Sequence, residues 1–114
     1  MEEKIQALAQ NLDLTEEEKE EIREESNSLF VYGDQEYNVY TDEEADEAWE
    51  EELNMYIDEC ILPEIPDYLR NYFDEEAWKS DARIDGRGHA IARYDGYEDF
   101  EEVEGTYYYI YRQN

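Results

Sequence analysis

One histidine, one cysteine and 35 carboxylates set the chemistry open to this chain. The carboxylates stand against only 9 Lys and Arg, giving a formal net charge of -26 on 114 residues. One His and one Cys cannot by themselves make a zinc site, which takes four ligands or three and a water. No P-loop, G-x-S-x-G elbow or zinc spacing occurs. The EF-hand pattern D-x-[DN]-x-[DN]-G is missing, so only diffuse Ca²⁺ or Mg²⁺ association at the surface is expected. Paired carboxylates recur throughout, and no single pair stands out as a glycosidase dyad. His89 reads as a strand or turn residue, not a general base. The sequence therefore predicts no catalytic residue, no cofactor and no metal.

The charge itself is the distinguishing feature. Like charges on a compact surface repel and favour expansion, so such an imbalance does nothing for the fold. A net charge of about 2 to 8 in magnitude is enough to keep a small domain in solution. From Glu24 to Leu69 the chain has 16 Asp and Glu and no Lys or Arg. The density peaks between residues 42 and 58. There Glu43, Asp46, Glu47, Glu50, Glu51 and Asp58 lie off the apolar stripe of a predicted helix and form an unpaired anionic ridge. A second acidic row comes from Glu98, Asp99, Glu101, Glu102 and Glu104.

Helical carboxylates three or four apart are separated by roughly 5 to 6 Å. A nucleic-acid strand carries one charge per about 3.4 Å. The ridge and second row together thus approach the field of a polyanion. A solvated face is the alternative reading of such a run. The acidity argues against direct contact with DNA, RNA or anionic lipid, since phosphate contact needs Lys and Arg.

Something must position these charges, and the composition points to a fold. Disordered acidic tails are poor in aromatics. This chain is 15% aromatic, with 12 Tyr, 3 Phe and 2 Trp. Ile5, Leu8, Ala9 and Leu12 repeat at helical spacing. Asp13 or Thr15 caps a second helix, TEEEKEEIREE, with Thr15 and Glu18 in capping-box spacing. SLFVY and QEYNVYT flank Gly33-Asp34 and read as a β-hairpin.

Thr41 and Glu44 open a long acidic helix whose stripe is Ala45, Ala48, Trp49, Leu53, Tyr56, Ile57, Cys60 and Ile61, closed by Pro63. Trp49 and Tyr56 are expected to be buried. Shorter helices follow over residues 64–83, with a stripe of Tyr68, Leu69, Tyr72 and Phe73. Gly86 and Gly88 mark a turn and HAIARY a strand. YEDFEEVEG reads as a shorter acidic strand or loop, and TYYYIYR as the final strand. In that last strand Tyr107, Tyr109 and Tyr111 lie on one face, with Tyr108 and Ile110 on the other. The prediction is a single α+β domain over residues 1–114: N-terminal helices, a hairpin, a long central acidic helix and a C-terminal antiparallel sheet.

The basic segment Lys79, Arg83, Arg87 and Arg93 reads better as internal neutralisation of nearby acids than as a docking patch. The single Cys60 fits a reducing cytoplasm, and no stretch approaches the roughly 18 apolar residues of a membrane span.

EYNVYTDEEADEAWEE, DGRGHAIARYDG and the later YYIYR resemble a family of small, acidic, largely uncharacterised proteins from bacteriophages and mobile elements. The resemblance covers about residues 36–112 and is most specific between Gly86 and Gly96. It supplies no catalytic residues. It implies a phage-like origin and a place in the cytoplasm of an infected bacterium. Phage-encoded polyanions of this size resemble nucleic-acid mimics that inhibit restriction enzymes, CRISPR effectors or DNA-repair enzymes. The expected partner is then a basic nucleic-acid-binding host protein, met through the ridge and through Glu98, Asp99, Glu101 and Glu102 of the second row. The alternative is an interaction protein that redirects a host transcription or replication factor without mimicry. A small enzyme built on His89 and a neighbouring Asp is a third and weaker reading.

Overall fold

A computed structural model describes residues 2–114. The fold is α+β, with one five-stranded antiparallel sheet in the order β1-β2-β3-β5-β4. The strands are β1 (Arg23–Ser26), β2 (Leu29–Tyr32), β3 (Gln35–Thr41), β4 (Asp99–Val103) and β5 (Thr106–Arg112). The hairpin and the C-terminal strands belong to this same sheet, because β3 pairs with β5 from Tyr37↔Arg112 to Thr41↔Tyr108. The helices are α1 (Glu2–Leu12), α2 (Glu16–Lys19), α3 (Asp42–Tyr56), α4 (Glu75–Arg83) and α5 (Arg87–Ile91).

Alternation along the strands fills both faces of the sheet. Tyr108 and Ile110 point to the α1 side, where Leu8 and Ala9 meet Phe30, Tyr37, Val39 and Val103. Tyr109 and Tyr111 point to the other side, against Ala45 and Trp49 of α3 and Ile91 and Ala92 of the α5 end. Tyr111 is fully buried. The sheet thus lies between two helical layers, and its central strands carry buried side chains toward both, although β3 turns Glu36 and Asn38 as well as Tyr40 to the α3 side. Both edge strands are acidic: β1 is REES and β4 is DFEEV. Charge on an edge discourages another strand from pairing with it.

Local signals place the helix starts. Thr15 and Thr41 both make complete capping boxes, with Glu18 and Glu44 as the returning partners. Just before the first box, Asp13 takes φ 56° and makes the turn out of α1. Tyr32 pairs with Gln35 across the two-residue turn Gly33-Asp34, and Gly33 sits at φ 62°.

The structure corrects four expectations. The second helix does not run through IREE; it stops at Lys19, and Arg23–Ser26 pairs with β2 instead. HAIARY is not a strand. Gly86 at φ 89° starts α5, which covers Arg87–Ile91. Gly88 lies where a Cβ would stand 2.7 Å from the Glu98 backbone N and 2.8 Å from the Gly96 O. Only glycine lets this helix approach the loop so closely.

Tyr56 is 52% exposed, not buried, and Trp49 is half-buried against the sheet. The stripe Tyr68, Leu69, Tyr72 is exposed as well, with Tyr72 at 82%. After α3 the chain continues as a π-helical turn, Ile57–Ile61, then 3₁₀ turns at Leu62–Glu64 and Asp67–Tyr72. Of the α3 continuation, Ile57 is buried while Cys60 is exposed. The molecule is long, 59 × 28 × 21 Å, with a radius of gyration of 16.8 Å. A compact chain of this length would have about 13 Å.

Candidate functional site

The anionic surface is decided by which carboxylates the few cations take. Eight of the nine Lys and Arg side chains form ion pairs. The ninth, Arg112, lies over the Tyr94 ring at 3.7 Å. The basic segment is spent internally, as its position in an acidic chain suggests. Lys79 Nζ donates to Glu50 Oε1 at 2.7 Å, and Arg83 Nη2 donates to Glu50 Oε2 at 2.7 Å. Arg93 stands 3.9 Å from Glu52.

Arg87 is the densest junction. Its Nε donates to Glu98 at 2.7 Å, and its Nη1 to Asp42 and Asp46 at 2.9 and 3.0 Å. The Tyr111 hydroxyl donates to the same Glu98 oxygen. The Arg87 guanidinium also lies 4.6 Å from the Tyr109 ring centroid. Burial alone would ease Arg87 toward losing its proton, but the bonds to Glu98 and Asp42 outweigh it and hold the guanidinium more firmly charged. Burial, then the bond to Glu98, pushes the Tyr111 phenol well above its ordinary value.

The ten residues expected to meet a partner therefore divide. Asp46, Glu50 and Glu98 are not free ridge carboxylates; each is tied to a cation that joins two elements. Glu101 turns to the α1 side, where Asn11 Nδ2 donates to it at 3.2 Å. Glu102 is the next residue on the edge strand and so faces the opposite side. Asp99 is exposed, and its carboxyl is pushed up by partial burial, then by Asp95 and Glu101. Glu43, Glu47 and Glu51 recur every fourth residue on α3, are exposed, and make no ion pair among the described residues; Asp58 continues the line in the π-helical turn. The ridge that remains is narrower than the sequence suggests and rises about 22 Å from Glu43 to Asp58.

A second feature was not foreseen. Tyr56 of α3 and Trp78 of α4 stack with centroids 5.4 Å apart and planes 10° from parallel. They line a cleft of about 550 Å³ between α3, α4 and α5, together with Glu52, Leu53, Asp81, Asp85 and His89. The sequence hid this because Tyr56 fits the core stripe of α3 at helical spacing. His89, exposed, belongs to this cleft. Among the described residues no three His, Cys, Asp or Glu side chains converge closely enough to hold a metal ion, and no helix is long and apolar enough to cross a membrane.

No protein-family model, curated protein or solved structure matches this chain.

Proposed function

We propose that this protein is a phage-encoded mimic of nucleic acid that inhibits a host defence protein, of the CRISPR-effector, restriction or DNA-repair kind, by occupying its basic groove. One observation carries the reading. The cations are consumed by contacts that hold the fold, while a row of exposed carboxylates on α3 is left without compensation. A long, narrow body supports it: 59 Å matches roughly 17 phosphate steps of one strand at about 3.4 Å each. The phage origin rests on the resemblance of residues 36–112.

The contact is assigned to Glu43, Glu47, Glu51 and Asp58, with Glu102 on the face of the edge strand turned away from α1; Asp99 shares the α1 side with Glu101. Such a surface steers a basic partner from a distance, so association is fast and slows as salt rises.

The test is affinity capture from a bacterial lysate with and without added duplex DNA. Mimicry requires that DNA displace the captured protein, and that the protein in turn strip DNA from its partner. A partner held equally well in excess DNA, and still able to bind DNA while held, would sink the reading.

That outcome would favour the second function, an interaction protein that redirects a host transcription or replication factor. The exposed Tyr68, Leu69 and Tyr72 speak for it, since tyrosine is enriched at protein interfaces.

A further inference from the structure

The cleft between α3, α4 and α5 has the make-up of a receptor for an organic cation. Its walls combine two aromatic rings, Tyr56 and Trp78, with the carboxylates of Glu52, Asp81 and Asp85. No Lys or Arg lines it. The division is built into α4. Lys79 and Arg83 point at Glu50 and clamp the helix to α3. Trp78, Asp81 and Ala82 lie on a neighbouring face of the same helix and open into the cleft. The clamp uses the cations of α4 and leaves its acids to the cavity.

We propose that this cleft binds an arginine side chain of the basic partner. The inference rests on the partner being basic, but not on its binding nucleic acid. A planar guanidinium can lie against an aromatic face while its N–H fork reaches carboxylates. A compact metal ion is a poor alternative, since the carboxylates do not converge on one point. The cleft's volume, about 550 Å³, falls within the range of small-ligand sites and exceeds one side chain, leaving room for the flanking backbone. Arg93 stands 3.9 Å from Glu52 and is 70% exposed, so it holds that carboxylate loosely and can yield it.

The experiment is an NMR titration of the ¹⁵N-labelled protein with acetyl-Gly-Arg-Gly-amide. The expected result is saturable movement of the Trp78 indole N–H and of the His89 and Ala90 amides. The Trp49 indole, packed against the sheet, serves as an internal control and stays in place. The same peptide with citrulline, which keeps the shape and loses the charge, leaves the spectrum unchanged. The triple variant Glu52→Gln, Asp81→Asn, Asp85→Asn binds the arginine peptide about tenfold more weakly. Asp81 and Asp85 are exposed, and Glu52 is 34% exposed with only the loose contact to Arg93, so the variant keeps the parent's amide spectrum elsewhere. A ridge variant, Glu43→Lys with Glu47→Lys and Glu51→Lys, binds the peptide as the parent does.

Shifts that spread over the whole acidic surface without saturating, or that are the same for the citrulline peptide or the cleft variant, would overturn the site. Such a failure leaves the groove reading standing if the parent still displaces DNA from its captured partner. Peptide binding with no DNA displacement would retain the cleft and remove the mimicry.

Discussion

Arg87 and Glu98, eleven residues apart, meet through an Nε–H···Oε1 bond of 2.7 Å that ties the first turn of α5 to the approach to β4. The same guanidinium reaches back across 45 residues to Asp42 at the start of α3. One cation thus joins the N-terminal turn of α3, the short helix α5 and the edge of the sheet. The side chain is 12% exposed, which separates it from an ordinary surface pair. Removing it leaves three carboxylates facing one another in a protein that already carries excess negative charge.

Arg87→Ala is expected to destabilise the fold by about 2 to 4 kcal/mol, because breaking a largely buried pair strands its partners. Arg87→Lys should recover part of the loss. It restores the charge but not the fork that serves Glu98 and Asp46 together. Urea unfolding of the three proteins checks this, and equal stability of parent and alanine variant would contradict it.

Trp49 gives a sharper comparison. Its indole Nε1 is buried with no hydrogen-bond partner. A buried donor left unpaired carries a penalty. Trp49→Phe removes the donor and keeps most of the ring, so its cost is expected to stay within about 1.5 kcal/mol. Trp49→Ala opens a cavity beside the sheet and is expected to cost about 3 kcal/mol. A phenylalanine variant as unstable as the alanine one would show that the indole nitrogen matters after all.

The capping boxes at Thr15 and Thr41, the Gly33-Asp34 hairpin and the strand TYYYIYR are legible in the sequence because each is fixed by neighbours within a few residues. The α+β class follows from them. HAIARY misleads because its alternation fits a strand, while what decides its conformation is distant: Gly88 seats against Gly96 and Glu98. Arg87, next to it, is held by α3. The unpaired ridge was overdrawn for a similar reason. Glu50 is claimed by Lys79, 29 residues further on, and no local pattern announces that. The cleft was invisible because Tyr56 satisfies a core periodicity that the π-helical turn after α3 never buries.

Gly88→Ala tests that seating. The added methyl would meet backbone atoms at 2.7 Å, and backbone cannot swing aside as a side-chain end does. A loss of about 1 to 3 kcal/mol is expected, typical of overpacking. Gly96→Ala at φ 74° meets only the His89 Cα at 4.0 Å, so its penalty is that of backbone strain alone, about 1 kcal/mol. Thermal melts of the two variants should therefore rank Gly88→Ala below Gly96→Ala.

The Glu50 pair predicts a pH dependence. The Lys79 hydrogen bond, against some opposition from burial and with help from Arg83, holds the Glu50 carboxyl below its ordinary 4.5. A carboxyl lowered on folding adds stability that is fully present above its unfolded value and is lost as pH falls through the folded one. Lys79 is shifted up, chiefly by the bond to Glu50. Its share is present below about 10.5 and is lost as pH rises through the higher folded value. Glu50 is 44% exposed, so the pair is worth about 1 kcal/mol. Glu50→Gln is therefore expected to be less stable than the parent at pH 7. The gap narrows as both proteins are melted at pH values falling below 4.5, and it closes below the lowered folded value. A gap that persists there would assign the effect to packing and not to charge.

The last prediction separates the charge that holds the fold from the charge that the proposed function uses. Glu50→Lys would break the clamp on α4, so it is unsuited to testing the ridge. Glu43→Lys, Glu47→Lys and Glu51→Lys touch no ion pair and bring the formal net charge from -26 to -20. Repulsion between like charges opposes the compact state. The triple variant is therefore expected to melt higher than the parent at low ionic strength. Salt should raise the parent's melting temperature more than the variant's, because screening removes the same repulsion. Capture of the basic partner should fall at the same time. A surface kept only as a solvated coat predicts the first two effects without the third. Better folding together with unchanged capture would place the partner's contact elsewhere on the molecule. Better folding with lost capture is the signature of charge held against the interest of the fold.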